Sequence, residues 1–65
     1  MGIKSARLRA GKTQEEVAKQ FGVSQSTIVG WEQGRWMPNT ARLMQIAYYF
    51  GCTVDELLRE DKGEN

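Results

Sequence analysis

The sequence predicts an all-α fold, a compact domain of five helices. Apolar residues recur at spacings of three and four residues along most of the chain, which is the helical period. Thr, Ser or Asn precedes four of these segments and Gly follows four of them, as helix start and stop signals do. No segment shows the alternation typical of a strand. The 65 residues suffice for one small domain with a modest core.

The first two helices are predicted over about 2–10 and from Thr13 onward. Gly11 ends the first as a left-handed cap would. The run Thr13-Gln14-Glu15-Glu16 is a capping box, in which the Thr13 hydroxyl and the Glu16 carboxylate satisfy unpaired backbone amides. Gly22 ends the second helix. The residues expected to face the core are Ile3, Ala6, Ala10, Val17, Ala18 and Phe21.

The third helix is predicted from its cap Ser24 to Gly34, with Val23 filling the turn before it. The fourth follows its cap Asn39 and stops at Gly51. A second capping box, Thr53 to Glu56, opens a short fifth helix. The residues expected to face the core in these helices are Ile28, Trp31, Leu43, Ile46, Ala47, Phe50, Leu57 and Leu58.

Composition excludes several classes of function. Cys52 is the only cysteine and the chain has no histidine, so a disulfide within the chain, a Cys/His zinc site and a histidine base are excluded. We therefore expect no enzyme, no cofactor and no metal, and no small-molecule ligand. No apolar run approaches the roughly 18 residues that span a bilayer, and no secretory signal is evident. These features predict a cytoplasmic protein without a membrane partner.

The charges are distributed unevenly along the chain. Residues 1–42 hold seven Lys/Arg and three acidic residues, a net of +4, whereas residues 43–65 hold two and five, a net of −3. A basic half suits a phosphate-binding surface, although a short chain can show such a bias by chance. From residue 59 to residue 65 the chain is charged, and we expect it to fray, so the domain is predicted to span residues 1–58.

Residues 13–34 form two short helices around a glycine-centred turn, the layout of a helix-turn-helix that places its second helix in the major groove of DNA. At about 100° per residue, one arc of the third helix spans roughly 140° and carries no charge. Glutamine can pair bidentately with adenine, serine can bond to any base edge, and valine can contact a thymine methyl group. An ordinary solvated face is the alternative. The predicted base-reading residues are Gln25, Ser26, Val29, Gly30 and Gln33.

Gly30 is unfavourable in mid-helix, by about 1 kcal/mol against alanine. Close approach to DNA would compensate for that, whereas a tolerated surface glycine is the alternative. Gln14, at the first position of the second helix, is predicted to bind a phosphate together with the free backbone N–H groups there. The other predicted phosphate contacts are Arg35, Lys12, Arg9 and Ser24.

These segments resemble the phage repressor and Cro family, also called the XRE family. The resemblance rests on residues 14–18, 22–28 and 31–34, Pro38 and the last two helices. It implies a five-helix domain that binds operator DNA, usually as a two-fold dimer. It further implies that Gln14 clamps a phosphate, that Gln25 and Ser26 read bases, and that Arg7 pairs with Glu32 as a structural ion pair.

The chain departs from the family pattern at three positions. Gln33 stands where asparagine is commoner, so the resemblance does not imply a loop contact from that position. Lys12 replaces an apolar residue, which adds a phosphate contact or loosens the packing. Trp36 is unusual in an exposed loop. It stacks on DNA or on a partner in one interpretation and folds over the core in the other.

The sequence therefore predicts a sequence-specific DNA-binding transcriptional regulator, a repressor, that inserts residues 25–33 into the major groove as a two-fold homodimer. The alternative is an antitoxin or another module that binds a protein partner through the same domain. Met44 and Tyr48 are candidates for a dimer contact if they are exposed, and otherwise lie at the margin of the core. Cys52 is expected to fill a small apolar site rather than to sense redox state.

Overall fold

The computed structural model describes residues 2–59. Its five helices are α1 (Ile3–Arg9), α2 (Gln14–Phe21), α3 (Gln25–Gln33), α4 (Thr40–Phe50) and α5 (Val54–Leu58). No strand occurs within these residues, and the predicted all-α, five-helix fold is confirmed. Of the charged segment predicted at 59–65, all but its first residue lie outside the described part of the chain.

The helix boundaries follow the predicted start and stop signals. Thr13 and Thr53 each accept a hydrogen bond from the third helical backbone amide, and Glu16 and Glu56 accept from the Thr13 and Thr53 amides in return. Ser24 and Asn39 cap α3 and α4. Among residues 2–59, the residues with positive φ are all glycines and lie directly after or one residue past the helix ends: Gly11, Gly22, Gly34 and Gly51.

One apolar cluster joins the five helices. Ile28, Ile46 and Val17 are its largest fully buried side chains, and α1 packs on α3, α4 and α5. The predicted core residues that are fully or partly buried in this cluster are Ile3, Ala6, Val17, Ala18, Phe21, Ile28, Trp31, Leu43, Ile46, Ala47, Phe50 and Leu57. The prediction for Leu58 is wrong, because its side chain is 50% exposed at the end of α5.

Two aromatic rings and an arginine attach α4 to the end of α2. The rings of Phe21 and Tyr49 meet edge to face with centroids 5.5 Å apart. The Arg42 guanidinium lies over the Phe21 ring and donates a hydrogen bond of 2.9 Å to the Phe21 carbonyl. Arg42 therefore satisfies a backbone carbonyl at the C-terminal end of α2. Among residues 2–59, no helix has the length and apolar character needed to cross a membrane.

Candidate nucleic-acid interface

The turn between α2 and α3 fixes which face of α3 is left open. Gly22 adopts φ 65°, and the Val23 amide donates to the Ala18 carbonyl, so the chain reverses within three residues. Ile28 and Trp31 then anchor α3 in the core. As a consequence, Gln25, Ser26 and Gln33 are exposed and Val29 is half-buried. Four of the five predicted base-reading residues thus lie on one accessible, uncharged face.

Gly30 is the exception. It is buried, although the helical wheel places it in the same arc. A Cβ added at Gly30 would lie 2.5 Å from Cε2 of Trp36 and would also overlap Cζ2. The indole of Trp36 therefore covers this part of α3. The prediction that Gly30 itself approaches DNA is wrong, because the absence of a side chain makes room for a loop residue.

Gln14 and Gln25 form a pair at the start of the open face. The Gln25 amide nitrogen donates a hydrogen bond of 3.2 Å to Oε1 of Gln14. The Gln14 amide nitrogen in turn donates to Oε1 of Glu32 at 3.0 Å. An amide nitrogen carries two hydrogens, so Gln25 keeps one donor for a base or a phosphate. The two glutamines are thus oriented before any ligand arrives.

Glu32, which accepts the hydrogen bond from Gln14, belongs to a buried ion pair with Arg7. Arg7 donates through Nε to Oε2 of Glu32, and its Nη1 donates to the Lys12 carbonyl at 2.9 Å. The Arg7 and Glu32 side chains are only 10% and 4% exposed. No buried side-chain nitrogen or oxygen within the described residues lacks a hydrogen-bond partner. The structure thus places Arg7 and Glu32 as the predicted ion pair, which joins α1 to α3.

The cations near Gln14 come from α1 and from the loop after it. A depression of about 570 Å³ is lined by Lys4, Leu8, Lys12, Gln14 and Gln25, among other residues. Lys12 is half-buried, and its ammonium group lies 5.5 Å from the centroid of the Tyr49 ring. Sequence reasoning missed the exposed Lys4. Lys4 lies three residues before Arg7 and four before Leu8, so the helical spacing already placed these residues on one face of α1.

Arg9 lies elsewhere. It lines a separate pocket with Phe50, Cys52 and Glu56, where its charge helps to lower the pKa of Glu56. α1 thus places Arg9 beside α5, away from the depression that Gln14 lines, and this position argues against the predicted phosphate contact. Arg35 and Ser24 are exposed beside the ends of α3, where they were predicted.

In the part of the chain that the structure describes, the pKa values of Glu16, Glu56 and Cys52 are displaced. Hydrogen bonding to the Thr13 backbone amide lowers the pKa of Glu16, and the Thr53 amide does the same for Glu56. Burial raises the pKa of the Cys52 thiol, and the nearby Glu56 adds to this. Cys52 therefore lacks the acidic thiol that a redox sensor needs. Within residues 2–59, no three His, Cys, Asp or Glu side chains are grouped so that they could hold a metal ion.

Comparison with known proteins decides the family. A family model described as helix-turn-helix matches residues 3–57, nearly all of the described chain. The chain belongs to the helix-turn-helix family, of the phage repressor and Cro type. This family consists of DNA-binding regulators of transcription and is not enzymatic. The resemblance inferred from the sequence is thereby confirmed.

Relatives within this family carry regulator names. An uncharacterized HTH-type transcriptional regulator of Archaeoglobus fulgidus is 37% identical over 62 residues, which cover 95% of this chain and 89% of the relative. The HTH-type transcriptional activator BcrR of Enterococcus faecalis is 46% identical over 57 residues, or 85% of this chain, but this match spans only 28% of BcrR. The cryptic phage CTXphi transcriptional repressor RstR of Vibrio cholerae is 28% identical over 60 residues, covering 92% of this chain and 54% of RstR.

Proposed function

We propose that this helix-turn-helix protein reads a specific sequence of double-stranded DNA with α3 in the major groove and represses transcription by occupying that site. The observation that carries the proposal is the pair of hydrogen-bonded glutamines, Gln14 and Gln25, at the start of an uncharged exposed helix face. A face without Lys or Glu suits base edges better than bulk solvent, because glutamine presents a donor and an acceptor in one plane.

In this proposal Gln14 contacts a phosphate and Gln25 contacts a base. Gln14 begins α2, where free backbone N–H groups and the helix dipole favour an anion. Gln25 begins α3 and carries the second amide hydrogen and the oxygen that adenine N7 and N6 require. Lys4 and Lys12 supply positive charge beside them, Arg35 supplies it past the other end of α3, and Ser24 adds a hydroxyl. Ser26, Val29 and Gln33 extend the reading surface along α3.

Repression follows from occupancy of the site. A bound domain blocks access to the DNA beneath it, whereas activation also requires a second surface for the transcription machinery. The name of RstR records a repressor, and the activator BcrR is a much longer protein than the part matched here. Both facts support repression as the simpler role for this domain.

The dimer is proposed to form through α4. Met44 is 60% exposed and Tyr48 is 89% exposed one turn later, so they do not lie at the core margin that was the alternative. They line a groove of about 670 Å³ with Phe21 and Tyr49. Two copies related by a two-fold axis would cover these apolar side chains and present α3 to half-sites about 10–10.5 base pairs apart.

The decisive experiment is a selection from random duplex DNA at physiological salt, followed by sequencing of the retained pool. The proposal predicts a two-fold symmetric motif. Gln25→Ala should then weaken binding to that motif by about 1–3 kcal/mol and leave binding to a scrambled duplex unchanged. Equal loss on both duplexes would remove Gln25 from the base-reading residues. No enrichment at all would overturn sequence-specific reading and favour a protein partner instead.

The dimer surface has its own test. Met44→Ser and Tyr48→Ser should weaken self-association in sedimentation experiments and on DNA that contains both half-sites. Leu58→Ser is the matched control, because Leu58 is similarly exposed and does not line the groove. If Leu58→Ser has the same effect, or if neither α4 variant has one, the two-fold axis does not pass through this groove.

A further inference from the structure

The loop after α3 places an aromatic side chain on the recognition helix itself. Cε2, Cζ2 and Cη2 of Trp36 all lie within 3.0 Å of the point where a Cβ of residue 30 would stand. Any residue other than glycine at position 30 would therefore collide with the indole. Trp36 thus occupies the space that the side chain of an ordinary α3 residue would fill.

The backbone holds the loop in this position. Gly34 adopts φ 76°, and the Arg35 amide donates a hydrogen bond of 2.9 Å to the Gly30 carbonyl, so the chain folds back over the last turn of α3. Pro38 is buried at the far end of the loop. Trp36 lies between these two fixed points. The indole therefore packs against Gly30, in a loop whose start is hydrogen-bonded to α3 and whose end is buried at Pro38.

The position of the indole is continuous with the predicted reading face. Ser26 and Gln33 lie four residues before and three residues after Gly30, and residues at these spacings are neighbours on a helix surface. Both are exposed. Trp36 is itself 50% exposed, although three atoms of its ring lie against Gly30. A duplex that reaches Ser26 and Gln33 would meet the indole as well.

We propose that Trp36 supplies, from the loop, the base-contacting side chain that position 30 of the recognition helix lacks, and that it contacts the methyl group of a thymine. This inference rests on the proposed function, because it requires α3 to lie in the major groove. The thymine methyl is the apolar group on a base edge in that groove, and an indole offers a large rigid apolar surface. A ring that already packs against Gly30 also loses less conformational freedom on binding than a free side chain would.

The test compares motifs selected from random duplex by the wild-type protein, W36A and M37A. Met37 is the matched control, since it is an apolar residue of the same loop and is 56% exposed. We expect W36A to lose the thymine preference at one position in each half-site and M37A to keep the whole motif. Deoxyuridine at that position should then weaken wild-type binding about fourfold, the factor for burying one methyl-sized group, and leave W36A unaffected.

Further variants distinguish a wrong assignment of Trp36 from misfolding and from a failure of the proposed function. Val29 is the other apolar residue of the reading face, so V29A should lose a different position of the motif than W36A. W36L keeps an apolar side chain over Gly30 and replaces W36A if that variant does not fold. A wild-type motif that W36A also selects, with no deoxyuridine position sensitive to Trp36, would overturn this inference alone. A wild-type protein that selects no motif would overturn the proposed function itself.

Discussion

Replacing Arg7 with alanine should destabilise the domain more than any other change to a charged residue among those that the structure describes. Arg7 is the buried charged residue of the core, and it donates twice to Glu32 and once to the Lys12 carbonyl. Arg7→Ala removes all three bonds. The Glu32 carboxylate would then keep only the hydrogen bond from Gln14 while it remains buried.

The size of the effect follows from burial. Breaking a buried ion pair by removing one partner costs about 3–5 kcal/mol, because the other charge is left uncompensated. Side-chain exposures of 10% and 4% place this pair in that class. A domain of 65 residues has a total stability of roughly 3–10 kcal/mol. Arg7→Ala should therefore lower Tm by at least about 12 °C, or unfold the protein outright.

The assay is urea and thermal unfolding followed by circular dichroism, with two comparison variants. Arg59→Ala breaks an exposed pair with Asp55 and should cost less than about 1 kcal/mol. The double variant Arg7→Met/Glu32→Leu replaces both charges by apolar side chains and should be close to neutral in stability. If Arg7→Ala costs no more than Arg59→Ala, the ion pair does not stabilise the fold and the reasoning fails.

Three further predictions concern titration and charge. Glu16 and Glu56 have lowered pKa values in the folded state, so their contribution to stability is present above about pH 4.5 and is lost as the pH falls below that value. The double variant Glu16→Gln/Glu56→Gln should therefore show a smaller decrease of Tm in acid than the wild-type protein, and an equal decrease would contradict this. Because burial raises the pKa of Cys52, its alkylation by iodoacetamide should reach half-maximal rate at a higher pH in the native protein than in urea, and the reverse order would refute it. Arg35→Ala should reduce the salt dependence of DNA binding by about one unit of slope. Arg9 lies near Glu56, so Arg9→Ala should leave the salt dependence of DNA binding unchanged. Equal salt dependence for the two variants would remove Arg35 from the phosphate contacts.

The helix boundaries could be predicted from the sequence because they depend on local chemistry. A threonine followed three residues later by glutamate satisfies two amides within one turn, as Thr13 and Glu16 do. A glycine in the left-handed region ends a helix without reference to the rest of the fold, as Gly22 does. The predicted family resemblance gained its specificity from these same signals, because their order and spacing fix the turn between α2 and α3.

The errors arose where position depends on distant parts of the chain. A helical wheel shows which face of α3 is uncharged, but it cannot show that the loop lays Trp36 on that face over Gly30. The wheel of α1 likewise gives two polar flanks without indicating which one adjoins α2. The sequence alone therefore does not show that Arg9 lies beside Glu56, or that Lys4 shares a depression with Gln14.

The ion pair of Arg7 and Glu32 links stability to the proposed reading of DNA. An apolar pair of similar volume would hold α1 against α3 about as well, so stability alone does not require these charges. The Glu32 carboxylate, however, also accepts a hydrogen bond from Gln14, whose oxygen then faces Gln25. An apolar replacement would remove that acceptor and let both amides rotate. The variant Arg7→Met/Glu32→Leu should therefore keep the fold and lose affinity for the selected motif, because the two glutamines would have to be ordered by the DNA itself. Unchanged affinity in a stably folded double variant would show that the buried pair acts on the fold alone.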